Sequence, residues 1–182
     1  MVCKQIALIR GINVGRAKRV AMADLRAVVE ELGYNDVSTL LNSGNVVFST
    51  PDADTVNSAT RIEEALATRL GVSARVIVLT AAELAAVVID NPLGEVADDH
   101  SRLLVAVLGN PADGTRLKPL AQQDWTPEVL AIGTRVAYLW CPNGIQASQL
   151  AKAVGHVLGD AVTTRNWATV MKLHALTENK KR

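Results

Sequence analysis

An α+β fold, built from two ferredoxin-like (split βαβ) subdomains with antiparallel sheets plus a C-terminal helix, is what this sequence predicts. Three observations carry that prediction. Short apolar runs that suit strands alternate with stretches whose apolar residues recur every three or four positions, as on one face of a helix. Gly33, Gly71, Gly109, Gly133 and Gly159 fall at the joints between these segments. Finally, the two halves of the chain repeat nearly the same order of elements.

Residues 5–9 form the first predicted strand. Met22, Leu25, Val28, Val29 and Leu32 follow at helical spacing, and Gly33 supplies the left-handed residue that closes a helix. Residues 37–41 and 46–49 are strands around the turn formers Asn42-Ser43-Gly44-Asn45. Val56, Ala59, Ile62, Leu66 and Leu70 mark a second helix ended by Gly71, and 74–79 is an almost unbroken apolar strand. The order βαββαβ sets two helices on one face of an antiparallel sheet. Thr80 and Glu83 make a capping box for a third helix running to about Ile89, which Asn91-Pro92 ends.

The stretch 93–101 is polar and acidic and reads as a linker, dividing the chain into 1–91 and 92–182. Residues 102–108 then make a strand, 109–111 a turn and 115–122 a short helix. Strands at 128–132 and 135–141 pair around Gly133-Thr134. Leu150, Val154, Val157 and Leu158 mark a helix before Gly159. This half is βαββα, the first order without its last strand. Trp167, Val170, Met171 and His174 give one face of a final helix opened by Thr163 or Thr164, and 177–182 reads as a frayed basic tail.

Composition narrows the function. At 182 residues and 49% hydrophobic, the chain can bury a substantial core. Its six aromatics (Tyr34, Phe48, Trp125, Tyr138, Trp140, Trp167) leave that core to Ala, Val and Leu, and offer no ring platform for single-stranded nucleic acid. Net charge is +1 and pI about 7.8, below the roughly pI 9 usual for nucleic-acid-binding domains. Charge is unevenly spread: Lys4 to Arg19 holds five basic and no acidic residues, Glu83 to Asp99 five acidic and no Lys or Arg. Cys3 and Cys141 stand in apolar strand-like contexts with no CxxC pair, which points to buried free thiols in a reducing cytoplasm. No apolar run approaches the ~20 residues of a membrane helix, and the start MVCKQIALIR reads as a strand rather than a signal peptide.

The candidate site is the loop 10–19. Gly11 and Gly15 give the backbone freedom, Asn13 tolerates a left-handed conformation, and Arg10, Arg16, Lys18 and Arg19 crowd positive charge before a helix. Such a loop suits a phosphate or carboxylate, held by Arg10, Arg16 and the backbone of Gly11, Asn13 and Gly15. It lacks both the P-loop and the dinucleotide glycine spacing. A plain strand-to-helix turn with solvated arginines explains the same residues. Arg165 and Asn166, beside a Thr164 able to cap the last helix, are a second candidate contribution, against which stands a simple capped helix anchored by Trp167. His100, His156 and His174 show no metal-ligand spacing, no Gly-x-Ser-x-Gly elbow is present, and Asp98-Asp99-His100 is an acid–base cluster only in the linker.

Four motifs in order resemble one family. Leu-Ile-Arg-Gly-Ile-Asn-Val-Gly at 8–15, Met-x-x-Leu-Arg at 22–26, Ser-Gly-Asn-Val-Val-Phe at 43–48 and Thr-x-Arg-Asn-Trp at 163–167 are similar to the bacterial domain-of-unknown-function family DUF1697, over nearly the whole chain. The resemblance implies a small cytosolic α+β protein of two ferredoxin-like subdomains, and implies no activity. Arg16 replaces a glycine common in such proteins, and Ala21 a proline. Three function classes follow: a module binding a small anionic ligand, an RNA-binding protein using a ferredoxin-like sheet, or a transferase or hydrolase. No cofactor and no oligomeric state can be read from these residues.

Overall fold

The computed structural model describes residues 1–16 and 18–178, and within them the predicted two-sheet α+β architecture is present. Strand β1 (Cys3–Ile9) leads through the 10–19 loop to α1 (Met22–Glu31), then β2 (Asn35–Leu40), β3 (Asn45–Thr50), α2 (Thr55–Leu70) and β4 (Val76–Thr80). β1 lies between β3 and β4 and is antiparallel to both, giving the order β2-β3-β1-β4. Alternate residues decide the core. Ala7 and Ile9, Val46 and Phe48, and Val76 and Val78 turn toward the helices and pack on Leu25, Val29, Ile62 and Leu66. Gly33 (φ 87°) and Gly71 (φ 62°) close the two helices as expected. Asp54 caps the start of α2 by accepting from Val56 N and Asn57 N.

The capping box is also present: Thr80 N donates to Glu83 Oε2 (2.9 Å) and Glu83 N to Thr80 Oγ1 (3.1 Å), opening α3 (Ala81–Ile89). Contacts divide the chain within this helix. Met1–Leu84 and the residues from Leu173 onward form one unit, and Ala85–Lys172 the other. In the second unit β5 (Leu103–Leu108), a 3-10 helix (Pro111–Leu117), α4 (Lys118–Ala121), β6 (Val129–Ile132), β7 (Val136–Trp140), α5 (Gln149–Leu158) and β8 (Val162–Asn166) build a sheet of order β6-β7-β5-β8. That is the topology of the first sheet repeated.

Several expectations need correction here. The second half does not lack its last strand: β8 pairs with β5, Val105 opposite Arg165 and Val107 opposite Thr163. Thr163 and Thr164 therefore sit in a strand, and the cap of α6 (Trp167–Glu178) is Asn166, whose Oδ1 accepts from Thr169 N at 2.9 Å. The helix expected at 115–122 starts earlier, at Pro111, because Asn110 caps it through Ala112 N (3.0 Å) and proline suits a first helical position. On α6 the buried face is Trp167, Thr169, Val170, Leu173 and Thr177, while Met171 is exposed. Residues 177 and 178 are helical rather than frayed, and 179–182 lie outside the described residues. Cys141 is buried and Cys3 only partly so; both are free thiols. Tyr138 is buried, donates to the Val87 carbonyl at 2.7 Å, and its ring lies 6.5 Å from that of Trp167.

Candidate functional site

Three left-handed residues shape the loop after β1: Gly11 (φ 70°), Asn13 (φ 55°) and Gly15 (φ 53°). Glycine takes this conformation freely, and asparagine does so more easily than other residues with a side chain. Between them Ile12 is buried, so the loop is anchored. Asn13 ties it down. Its Nδ2 donates to the carbonyls of Val20 and Asn42, its Oδ1 accepts from Val20 N, all at 2.8 Å, and its own N donates to Lys18 O at 3.1 Å.

The second wall is the β2–β3 connection. Ile9 N donates to Gly44 O at 2.8 Å. A Cβ on Gly44 would stand 2.9 Å from both Ile12 Cδ1 and Ile9 Cβ, so only glycine lets the turn close on the loop. Asn45, fully buried, donates through Nδ2 to Leu40 O (2.9 Å) and Ser43 Oγ (2.8 Å). The motifs at 8–15 and 43–48 are thus two sides of one corner, and much of their sequence is spent on building it.

Lys4 Nζ donates to Thr177 O (3.0 Å) in the last turn of α6, where a cation suits the helix dipole. Arg19 donates to Asn13 O (3.1 Å) and Gly15 O (3.3 Å), and Lys18 donates to Gly71 O. These three hold the chain. Arg10, whose backbone N donates to Arg75 O at 2.9 Å, and Arg16 are exposed. The next helix begins behind Ala21, which provides no side-chain cap.

Arg165 and Asn166 belong to the second unit. Arg165 is 9% exposed and donates through one terminal nitrogen to Thr163 Oγ1 (3.0 Å) and Thr164 O (2.8 Å); burial lowers its pKa to about 10. The motif at 163–167 therefore makes a strand-to-helix junction: Thr163 orients Arg165, Asn166 caps, and Trp167 packs. Asp99, in the Asp98-Asp99-His100 cluster, accepts from Ser101 N (2.9 Å) and Ser101 Oγ (2.6 Å), bonds that hold its carboxyl below the usual range. It shapes a turn.

Among the described residues no three His, Cys, Asp or Glu side chains are grouped to hold a metal ion, and no helix is long and apolar enough to cross a membrane. Burial pushes the Cys141 thiol up, and the Glu128 charge adds to this, while a Ser148 hydrogen bond opposes it; a raised pKa is the reverse of what a nucleophilic cysteine needs. Two cavities of the first unit lie away from the loop: about 300 Å³ between α1 and α2, beside Arg61 and Arg69, and about 320 Å³ beside Lys4, Arg26 and Asp36. One residue of the corner that sequence reasoning passed over is Leu41, 50% exposed and left-handed at φ 57°. Nothing in its sequence context marks it beyond its place before Asn42-Ser43-Gly44.

The family model described as "Protein of unknown function (DUF1697)" matches residues 2–138, which takes in both walls of the corner and ends before the 163–167 motif. No curated protein matches the chain. Among solved structures, the conserved bacterial protein SP0830 from Streptococcus pneumoniae is similar in fold, with TM-score 0.80 and 22% identity over 98% of this chain and 100% of that one.

Proposed function

The chain belongs to the DUF1697 family of proteins of unknown function, and we propose that its 10–19 loop binds a small anion of the phosphate or nucleotide class, in the cytoplasm. One observation carries this reading: two exposed arginines, Arg10 and Arg16, flank a backbone held left-handed at Gly11, Asn13 and Gly15. Arg10 and Arg16 would donate charge-assisted hydrogen bonds, each contributing roughly 1.5–3 kcal/mol. Gly11 and Gly15 allow the anion close to the backbone. Asn13 is a positioning residue, because its side chain is engaged by Val20 and Asn42. Cytoplasmic location is supported by the two free cysteines.

The experiment is a calorimetric titration with inorganic phosphate and AMP. Losing one arginine should weaken binding about tenfold to a hundredfold in Arg10→Ala and Arg16→Ala, with melting temperature nearly unchanged. Binding indifferent to both substitutions defeats the reading. For RNA, the sheet offers little support, since Ile6, Leu8, Val47, Ile77 and Leu79, on the face of the first sheet away from its helices, are all buried.

A further inference from the structure

Leu41 sits where folding has little use for it. It opens the β2–β3 connection in the left-handed region, at φ 57°, which glycine or asparagine would adopt with less strain, and half of it is exposed. The four residues after it, Asn42 to Asn45, are all turn formers. The one large apolar side chain of this turn is therefore the one held both strained and in water. Such outliers point from structure to function. Val14, on the facing wall, is 62% exposed. The hydrogen bond from Asn13 Nδ2 to Asn42 O (2.8 Å) fixes the two walls together, and Val14 and Leu41 each lie one residue from it.

The corner thus presents two apolar side chains, Val14 and Leu41, with exposed Arg10 and Arg16 on the same loop, in a segment that carries five basic residues and no acidic one from Lys4 to Arg19. A bare anion would use the arginines and leave Leu41 and Val14 in water. A neutral apolar molecule would use those two and waste the charge. We infer that the ligand is a soluble phosphate ester whose other part is apolar or aromatic, its phosphate on Arg10 and Arg16 and its apolar part over Leu41 and Val14. This deepens the anion-binding reading and rests on it. The charge attracts and orients the ester; the apolar pair discriminates among esters.

The test is titration of the whole protein with inorganic phosphate, ribose 5-phosphate and phenyl phosphate, repeated with Leu41→Asn. Covering roughly 60 Å² of apolar surface should make phenyl phosphate bind about tenfold more tightly than ribose 5-phosphate. In Leu41→Asn that ratio should fall to about one, while the melting temperature rises because asparagine relieves the left-handed strain. Equal binding of the two esters, or a ratio that survives Leu41→Asn, overturns this inference and leaves the anion reading standing. No binding of any of the three overturns both. Attachment to phosphatidylglycerol vesicles without binding of phenyl phosphate overturns the soluble ester and assigns the corner to a lipid surface.

Discussion

Replacing Asn13 by alanine should open the corner, and its cost can be worked from the geometry. The side chain makes three hydrogen bonds at 2.8 Å, two with the backbone of Val20 and one with Asn42 O. Net contributions of about 0.5–1.5 kcal/mol are usual for such bonds, and the solvent-exposed one to Asn42 counts least. Val20 is buried, so truncation leaves its N–H and carbonyl short of partners. Alanine at φ 55° adds roughly 1 kcal/mol of left-handed strain. The expected loss is about 2–4 kcal/mol in Asn13→Ala, and about 1 kcal/mol less in Asn13→Gly, which loses the bonds without the strain. For a chain of this size that is roughly 5–15 °C in melting temperature. The assay is urea unfolding followed by far-UV circular dichroism. Tryptophan fluorescence is a second probe, because Trp125, Trp140 and Trp167 all lie in the second unit. An alanine variant within about 0.5 kcal/mol of the parent, or a glycine variant no better than alanine, would refute the account of the loop.

Gly44→Ala should cost about 2–5 kcal/mol, because its Cβ would meet Ile9 and Ile12 at 2.9 Å and its φ is +81°; a silent substitution in thermal unfolding contradicts the packing. Tyr138 supplies a pH test. Burial, with the Asp90 charge adding, pushes its hydroxyl up to about 12. The folded protein therefore keeps this proton where the unfolded chain has lost it. The resulting stability is fully present below about pH 10 and is lost as pH rises toward 12, on the order of 2–3 kcal/mol. Tyr138→Phe should flatten that alkaline decline while costing about 1–2 kcal/mol at neutral pH through the lost bond to Val87 O; an unchanged alkaline slope counts against it. Cys141, buried with a raised thiol pKa, should resist alkylation in the native protein, and denatured protein should give two free thiols. Rapid native labelling of Cys141 would show the site to be open.

The first unit was legible in the sequence because its apolar periodicities are clean and its joints carry glycines whose conformation is needed, Gly33 and Gly71 among them. β8 was not legible. Val162-Thr163-Thr164-Arg165-Asn166 turns Thr163 and Arg165 toward the buried face away from the helices, so no apolar alternation betrays the strand. Threonines next to a helix also look like caps, although Asn166 does that work. At the corner, the glycines, Asn13 and the basic residues could be read in advance. What sequence could not say is that Lys18 and Arg19 turn back to donate to the backbone carbonyls of Gly71, Asn13 and Gly15. Leu41 was invisible for the same reason, since only the backbone angle and its exposure single it out.

The most direct measurement of the central claim is a two-dimensional amide NMR titration of the whole protein with inorganic phosphate. Anion binding at the corner predicts saturable shifts concentrated in residues 10–16 and 41–44, and their disappearance in Arg10→Ala. No saturable shifts, or shifts centred on the cavity beside Lys4, Arg26 and Asp36 and unaffected by Arg10→Ala, would contradict it.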